Sequence, residues 1–178
     1  MEILDLYTAD REKTGKTMVR GEETPAGCYR LVVHVCIFND KGQLLIQQRQ
    51  PFKEGWPNKW DISVGGSAVA GDNSRMAAER ETREELGLEL DLSNVRPIIT
   101  VHWENGFDDY YVLTQNVDLD SLHLQPEEVQ AVRWAEMDEI LQLIDEDQFV
   151  PYTKSLIELL FHFRVRRSSH TINETIKR

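Results

Sequence analysis

Four glutamates crowd one short stretch of the chain: Glu79, Glu81, Glu84 and Glu85 lie within GGSAVAGDNSRMAAERETREELGL, which runs from Gly65 to Leu88. The stretch reads as a glycine-bearing loop, then a helix, then a stop. Asp72 or Asn73 suits the N-cap, Ala77 and Ala78 favour helix, and Gly87 falls where a left-handed residue closes the last turn. Residues three and four apart share a helix face, so Glu81, Glu84 and Glu85 project from one side. Like charges this close cost about 0.2–0.5 kcal/mol per pair in an isolated helix, which a cation would offset. Hard divalent ions take oxygen ligands, and Mg²⁺ is commonly shared between carboxylates, waters and substrate phosphates. These residues therefore point to a divalent-metal site that recruits a phosphorylated substrate. By charge alone they also describe a solvated face with ion pairs to Arg80 and Arg83.

The elements that must position this segment lie on both sides of it. Tyr29 to Phe38 is β-branched and almost wholly apolar, which predicts a central strand. NDKG is a turn, and Gln43 to Arg49 is the next strand, expected to form a hairpin with the first. An irregular loop with two prolines and two tryptophans leads into the short strand DISVGG. After the helix, Arg96 to Trp103 and Tyr110 to Val117 read as strands, with ENGFDD as the turn between them. A loop carrying Glu127 and Glu128 precedes the alternating strand Val129 to Ala135. Helices are expected over Met137 to Ile144 and Pro151 to Arg166. Ahead of all this, Glu2 to Tyr7 and Thr17 to Arg20 read as short strands around a turn at Gly15. Strands, helix, strands, helix, helix is the order of a mixed sheet with helices on both faces.

The 178 residues fit a single domain, 1–178, with residues 1–27 as an N-terminal extension and 168–178 as a polar tail. A net charge of −11 speaks against nucleic acid as a partner, because neutralising phosphates needs a basic face. Cys28 and Cys36 have neither zinc spacing nor the density of a disulfide scaffold, so reduced thiols and a cytoplasmic setting are expected. The N-terminus lacks the basic start and apolar run of a signal peptide. No window approaches 18 consecutive apolar residues, so no membrane span is expected.

The register of the acidic segment resembles the Nudix box. That pattern is Gly, five residues, Glu, seven residues, Arg-Glu, an aliphatic residue, any residue, Glu-Glu, any residue, Gly and an aliphatic residue. Gly66, Arg80, Glu81, Glu84, Glu85, Gly87 and Leu88 fall in register, seven of nine defined positions over 23 residues. Asp72 stands in place of Glu, one methylene shorter, and Thr82 in place of an aliphatic residue, where a loss of packing is expected. The resemblance covers most of residues 28 to 145. It implies the Nudix α/β/α sandwich, an α/β fold with a mixed β-sheet. The activity it implies is hydrolysis of a small-molecule diphosphate, a nucleoside diphosphate linked to another moiety X, with Mg²⁺ or Mn²⁺ as cofactor. It further implies that Glu81 and Glu85 hold the cation, joined by the carbonyl near Gly66. Glu84 is then a further ligand or orients water. The base that takes the proton from water is drawn from Glu84, Glu127 or Glu128.

Around that core, Arg80 is expected to anchor the glutamates, with Asp72 and Gly87 as structural members of the motif. Arg49 ends a strand pointing at the site and is a candidate phosphate contact. Trp103, among loop aromatics that include Trp56, Phe107 and Tyr110, is a candidate substrate contact. His34, inside an apolar strand, reads as a core histidine. WDISVGGSAVAGD also resembles isopentenyl-diphosphate isomerase, a branch of the same superfamily. That chemistry needs a cysteine where this chain has Gly65, and a histidine where it has Ser67. What remains is similar to the isomerase-like bacterial Nudix hydrolases, which carry a comparable N-terminal extension. A non-catalytic nucleotide-binding module is the other alternative; degenerate Nudix domains lose box glutamates, whereas this chain keeps them. A homodimer is compatible with the resemblance, the N-terminal extension offering an interface.

Overall fold

The computed structural model describes residues 2–168; Met1 and 169–178, which hold most of the expected tail, lie outside the described residues. In chain order the strands and helices are β1 (Ile3–Tyr7), β2 (Lys13–Val19), β3 (Arg30–Phe38), β4 (Leu44–Arg49), β5 (Trp60–Asp61), β6 (Val64–Ser67), α1 (Ser74–Leu86), β7 (Ile99–Trp103), β8 (Gly106–Thr114), β9 (Val129–Ala135), α2 (Met137–Asp145) and α3 (Lys154–Val165).

β3 is the strand the sheet is built on. It runs parallel to β8 along its whole length, from Arg30 opposite Gly106 to Phe38 opposite Thr114. Its other edge is shared between β6, antiparallel over Val32–Val35, and the first residue of β4. β9 extends the sheet beyond β4, β5 pairs with the end of β4 on the edge it shares with β3, and β7 closes the far edge beside β8. Alternation along β3 feeds both faces. Leu31, Val33, Val35 and Ile37 pack with Ala77, Ala78 and Leu86 of α1. Cys36 and Phe38 pack with Ile140 of α2 and Ile157, Leu160 and Phe161 of α3. A strand buried on both sides has no solvent face, which is why its sequence is nearly all apolar.

The expected β3–β4 hairpin is corrected in one respect. The two strands pair only at Phe38 and Leu44 and then part, while β9 stays paired along the other edge of β4 over Leu44–Arg49. Parting would strand buried main-chain groups, and Ser63 fills the fork. Its hydroxyl donates to the Leu45 carbonyl at 2.6 Å and accepts from the Ile37 N–H at 2.9 Å. The opening lets β6 reach β3 and carries Gly65 and Gly66 into the sheet.

Two turns also differ from expectation. Gly15 lies inside β2 at φ +78, and the β1–β2 turn is made instead at Thr8–Glu12, with Arg11 left-handed at φ 65. The β7–β8 turn is only Glu104 and Asn105, because Gly106–Asp109 are paired on both sides, to β3 and to β7. Asp109 is tolerated inside that strand because Arg11, Ser74 and Thr100 all bond to its carboxylate at 2.6 Å. The N-terminal hairpin buries Leu4, Leu6 and Met18 beneath it and joins the sheet through reciprocal bonds between Tyr7 and Tyr29.

Replacing the fork's hydroxyl is a direct test. Ser63→Ala leaves a buried donor and a buried acceptor without partners, and is expected to lower the unfolding free energy by about 1–3 kcal/mol in denaturant titrations. A change within error of zero would show that the fork is held by other contacts.

Candidate active site

α1 forms because its ends are capped by side chain and backbone together. Asn73 is the N-cap, its side chain accepting from the Met76 N–H, and Gly87 closes the helix at φ 65 with its N–H on the Arg83 carbonyl. Asp72 is not the cap. Its carboxylate receives Nε and one terminal nitrogen of Arg80, at 3.1 and 3.0 Å, and the Val69 N–H at 3.3 Å. Arg80 spends its remaining donors on the Ser67 carbonyl, Glu81 at 3.1 Å and Glu84 at 2.9 Å. Thr82 is fully buried, and its hydroxyl is satisfied by donating to the Ala78 carbonyl at 2.8 Å.

Glu81 and Glu85 are turned inward against β6 and β4. A Cβ added at Gly66 would lie 2.1 Å from the Glu81 carboxyl carbon, so only glycine fits where that carboxylate packs. Glu85 accepts from the Gln47 amide at 2.9 Å, while the amide oxygen of Gln47 is buried without a donor. Glu84 is half-exposed at the rim. The segment after the 3₁₀ turn Leu119–Ser121 is docked on the C-terminus of α1 by main-chain hydrogen bonds, and Leu122 and Leu124 pack against the core that includes Leu86. The His123 N–H donates to the Leu86 carbonyl at 3.0 Å, and the Gln125 N–H to the Glu85 carbonyl at 2.9 Å. That docking brings Glu128 into the same cleft as the three helix glutamates, where it is ion-paired to Lys53. Glu127 faces instead an adjoining groove of about 480 Å³.

The opposite wall of the cleft is basic. Arg49 is held at its rim by Asp61 at 3.4 Å and the Gly55 carbonyl at 3.0 Å, next to Lys53 and to Arg20, which the N-terminal hairpin supplies with its partner Glu2. Arg20, Lys53, Gln47 and Gln125 were not singled out from sequence. Gln47 was the one with a signal, a polar residue at a buried position of an apolar strand. Trp103 is not among the residues lining this cleft. Its indole N–H donates to Asp108 at 2.8 Å and its ring lies under the Arg30 guanidinium at 5.2 Å. His34 is core-like, stacked on Tyr110 at 4.4 Å between ring centres, with Asp108 3.6 Å away and neither ring nitrogen hydrogen-bonded.

Burial sets the electrostatics. Desolvation pushes the Glu81 carboxyl up to about 7, against the opposing pull of Arg80. Desolvation pushes Glu85 to about 8, against the Gln47 hydrogen bond and with added repulsion from Glu81. As they stand, no three ligating side chains among the described residues converge closely enough to hold a metal ion; Arg80 occupies Glu81 and Glu84. The donor set nonetheless fits a hard divalent cation. It is all oxygen, two of its carboxylates lack solvent, and Gln47 leaves a buried oxygen without a donor.

A mixed sheet between helical layers, with an acidic cleft on one helix, defines the α/β/α sandwich class. The NUDIX domain model matches residues 29–158, and the chain belongs to the Nudix family. An uncharacterized Nudix hydrolase of Listeria innocua is 54% identical over 152 residues, covering 85% of this chain and 90% of that one. An isopentenyl-diphosphate Delta-isomerase of Escherichia coli is 28% identical over 151 residues, 81% and 82% of the two chains. The crystal structure of DR0079 from Deinococcus radiodurans superposes with a TM-score of 0.70 at 28% identity, covering 90% of this chain and 98% of that one. Family membership makes the chain an enzyme that acts on phosphoric anhydrides.

The raised carboxyls have a measurable consequence. Their folded-state values lie above the ordinary glutamate value, so the native state holds protons that the unfolded chain releases. Stability from this source is present below the unfolded value and is lost as pH rises from 4.5 towards about 8. In chelator, the unfolding free energy is expected to fall over that range by up to about 1.4 kcal/mol per pH unit for each such carboxyl. Glu85→Gln flattens the slope, and an equal slope in the variant would exclude Glu85 as its source.

Proposed function

We propose that the chain hydrolyses the diphosphate linkage of a nucleoside diphosphate joined to a second group. In this reading Glu81, Glu85 and Glu84, with the Gly66 carbonyl, hold Mg²⁺ or Mn²⁺. The observation that carries the reading is the facing of two kinds of charge across one cleft: buried glutamates of α1 on one wall, Arg20, Arg49 and Lys53 on the other. When bound, the cation supplies charge neutralisation of the diphosphate and polarisation of the attacked phosphorus.

The chain's own residues do the rest. Arg49, preset by Asp61 and Gly55, and Lys53 and Arg20 bind phosphate oxygens and orient the scissile bond. Gln47 fixes the Glu85 carboxylate. Arg80 holds Glu84 and Glu81 in register and keeps Asp72 occupied. Glu84 and Glu128 are carboxylates in the cleft with solvent access, as is Glu2, which is paired to Arg20; Glu84 or Glu128 takes the proton from the attacking water. Glu128 is freed for that role when substrate phosphate draws Lys53 away. Isomerase chemistry is disfavoured because Gly65 carries no thiol and neither cysteine lines the cleft. Cys36 is fully buried, with its thiol pushed up by desolvation, and Cys28 lies under the N-terminal hairpin.

A panel of nucleoside diphosphate derivatives with Mg²⁺ or Mn²⁺, followed by product identification, tests this. Glu85→Gln or Glu84→Gln is expected to cost about 10²-fold or more in turnover, as does removal of one transition-state stabilising group elsewhere. No turnover of any compound would favour a binding module. Arg20→Ala is expected to raise KM more than it lowers kcat; a purely kcat effect would remove Arg20 from ground-state phosphate binding.

A further inference from the structure

We propose that the chain carries a second binding site, for a small phosphate monoester with an apolar group, between the N-terminal hairpin and the start of α1. A cavity of about 250 Å³ opens there, walled by Tyr7, Arg11, Lys13, Leu31, Ser74 and Phe107, and it shares no residue with the acidic cleft.

The start of α1 supplies donors. Asn73 takes the Met76 N–H on its side chain and the Ala77 N–H on its carbonyl, while the N–H groups of Ser74 and Arg75 meet no acceptor among the described residues. No acidic side chain sits in the first turn to use them. A helix of this length presents partial positive charge at that end, where anions bind.

Tyr7 is the independent sign of a ligand. It is only 6% exposed, lines the cavity, and its hydroxyl is buried with no hydrogen-bond partner. A buried hydroxyl without a partner costs stability, which a ligand oxygen or a water entering from the cavity would restore. Two cations complete the polar wall. Their own partners, Asp109 for Arg11 and Asp5 for Lys13, do not line the cavity. Leu31 and the Phe107 ring, 5.3 Å beneath the Arg11 guanidinium, form an apolar wall. Phosphate oxygens thus meet the helix N–H groups, Tyr7 and the cations, and an apolar substituent meets Phe107. The volume falls below the roughly 300 Å³ at which pockets for drug-sized ligands begin, which limits the ligand to a single small ring or chain. Arg11 also lines a wider groove with Arg96, so the approach is positive on a chain of net charge −11.

Phenyl phosphate, titrated in chelator without divalent ions and followed by amide NMR, tests the site. The Ser74 and Arg75 amides are expected to shift saturably. Tyr7→Phe should weaken this binding about tenfold, as for loss of a hydrogen bond to a charged group, while its melting temperature stays equal or rises because the hydroxyl has no protein partner to lose. Lys13→Ala should also weaken it. Shifts confined to Gly65 and Gly66, binding unchanged in Tyr7→Phe, or no saturable shift below about 10 mM would overturn the proposal. The readout needs no turnover, so the hydrolase reading and this one fail separately.

Discussion

Two carboxylates, Glu81 and Glu85, are withheld from water on one face of α1, and much of the chain is arranged to tolerate that. An ionised carboxylate out of solvent is costly unless paired. Arg80 answers for Glu81, and is itself fixed by Asp72 and the Ser67 carbonyl; Gln47 answers for Glu85. Gly66 gives way so that Glu81 can lie against the backbone. Gly66 reaches its place because β3 and β4 part, leaving the edge of β3 to β6. The parting of those strands around Ser63 opens the sheet beneath the helix.

The site was legible where its geometry is local. Three carboxylates and an arginine at helical spacing share a face whatever the tertiary fold, so the motif could be read from Gly66 to Leu88. The helix ends were equally readable, Gly87 from its position and Asn73 as one of two possible caps. The sheet was legible as a set of strands but not as a pairing. β3 and β4 are neighbours in sequence and touch once, while β3 and β8 lie some seventy residues apart and pair throughout. FDD looked like a turn because two carboxylates rarely sit in a strand; Asp109 does so because Arg11, nearly a hundred residues earlier, neutralises it. Arg20 and Lys53 carried no signal at all, since a cation at a cleft wall has no period. Trp103 looked free to stack on a substrate, yet Asp108, on the strand beside it, and Arg30 hold both its edge and its face.

The N-terminal hairpin lies outside the matched Nudix segment, yet it is part of the working structure. It has its own small core, a main-chain junction to β3 at Tyr7 and Tyr29, and side chains in the cleft through Glu2 and Arg20. A loop-tip arginine, Arg11, reaches across to stabilise the buried charge of β8. Truncation at the family boundary would therefore remove Glu2 and Arg20 from the cleft and the cationic partner of Asp109.

The docking of the His123–Gln125 segment on α1 is made by backbone N–H groups, which every residue but proline carries. Of its side chains, Leu124 packs inward against the core that includes Leu86, while His123 is exposed. Such a segment can drift in sequence at its outward-facing position while the distance from helix to carboxylate stays constant.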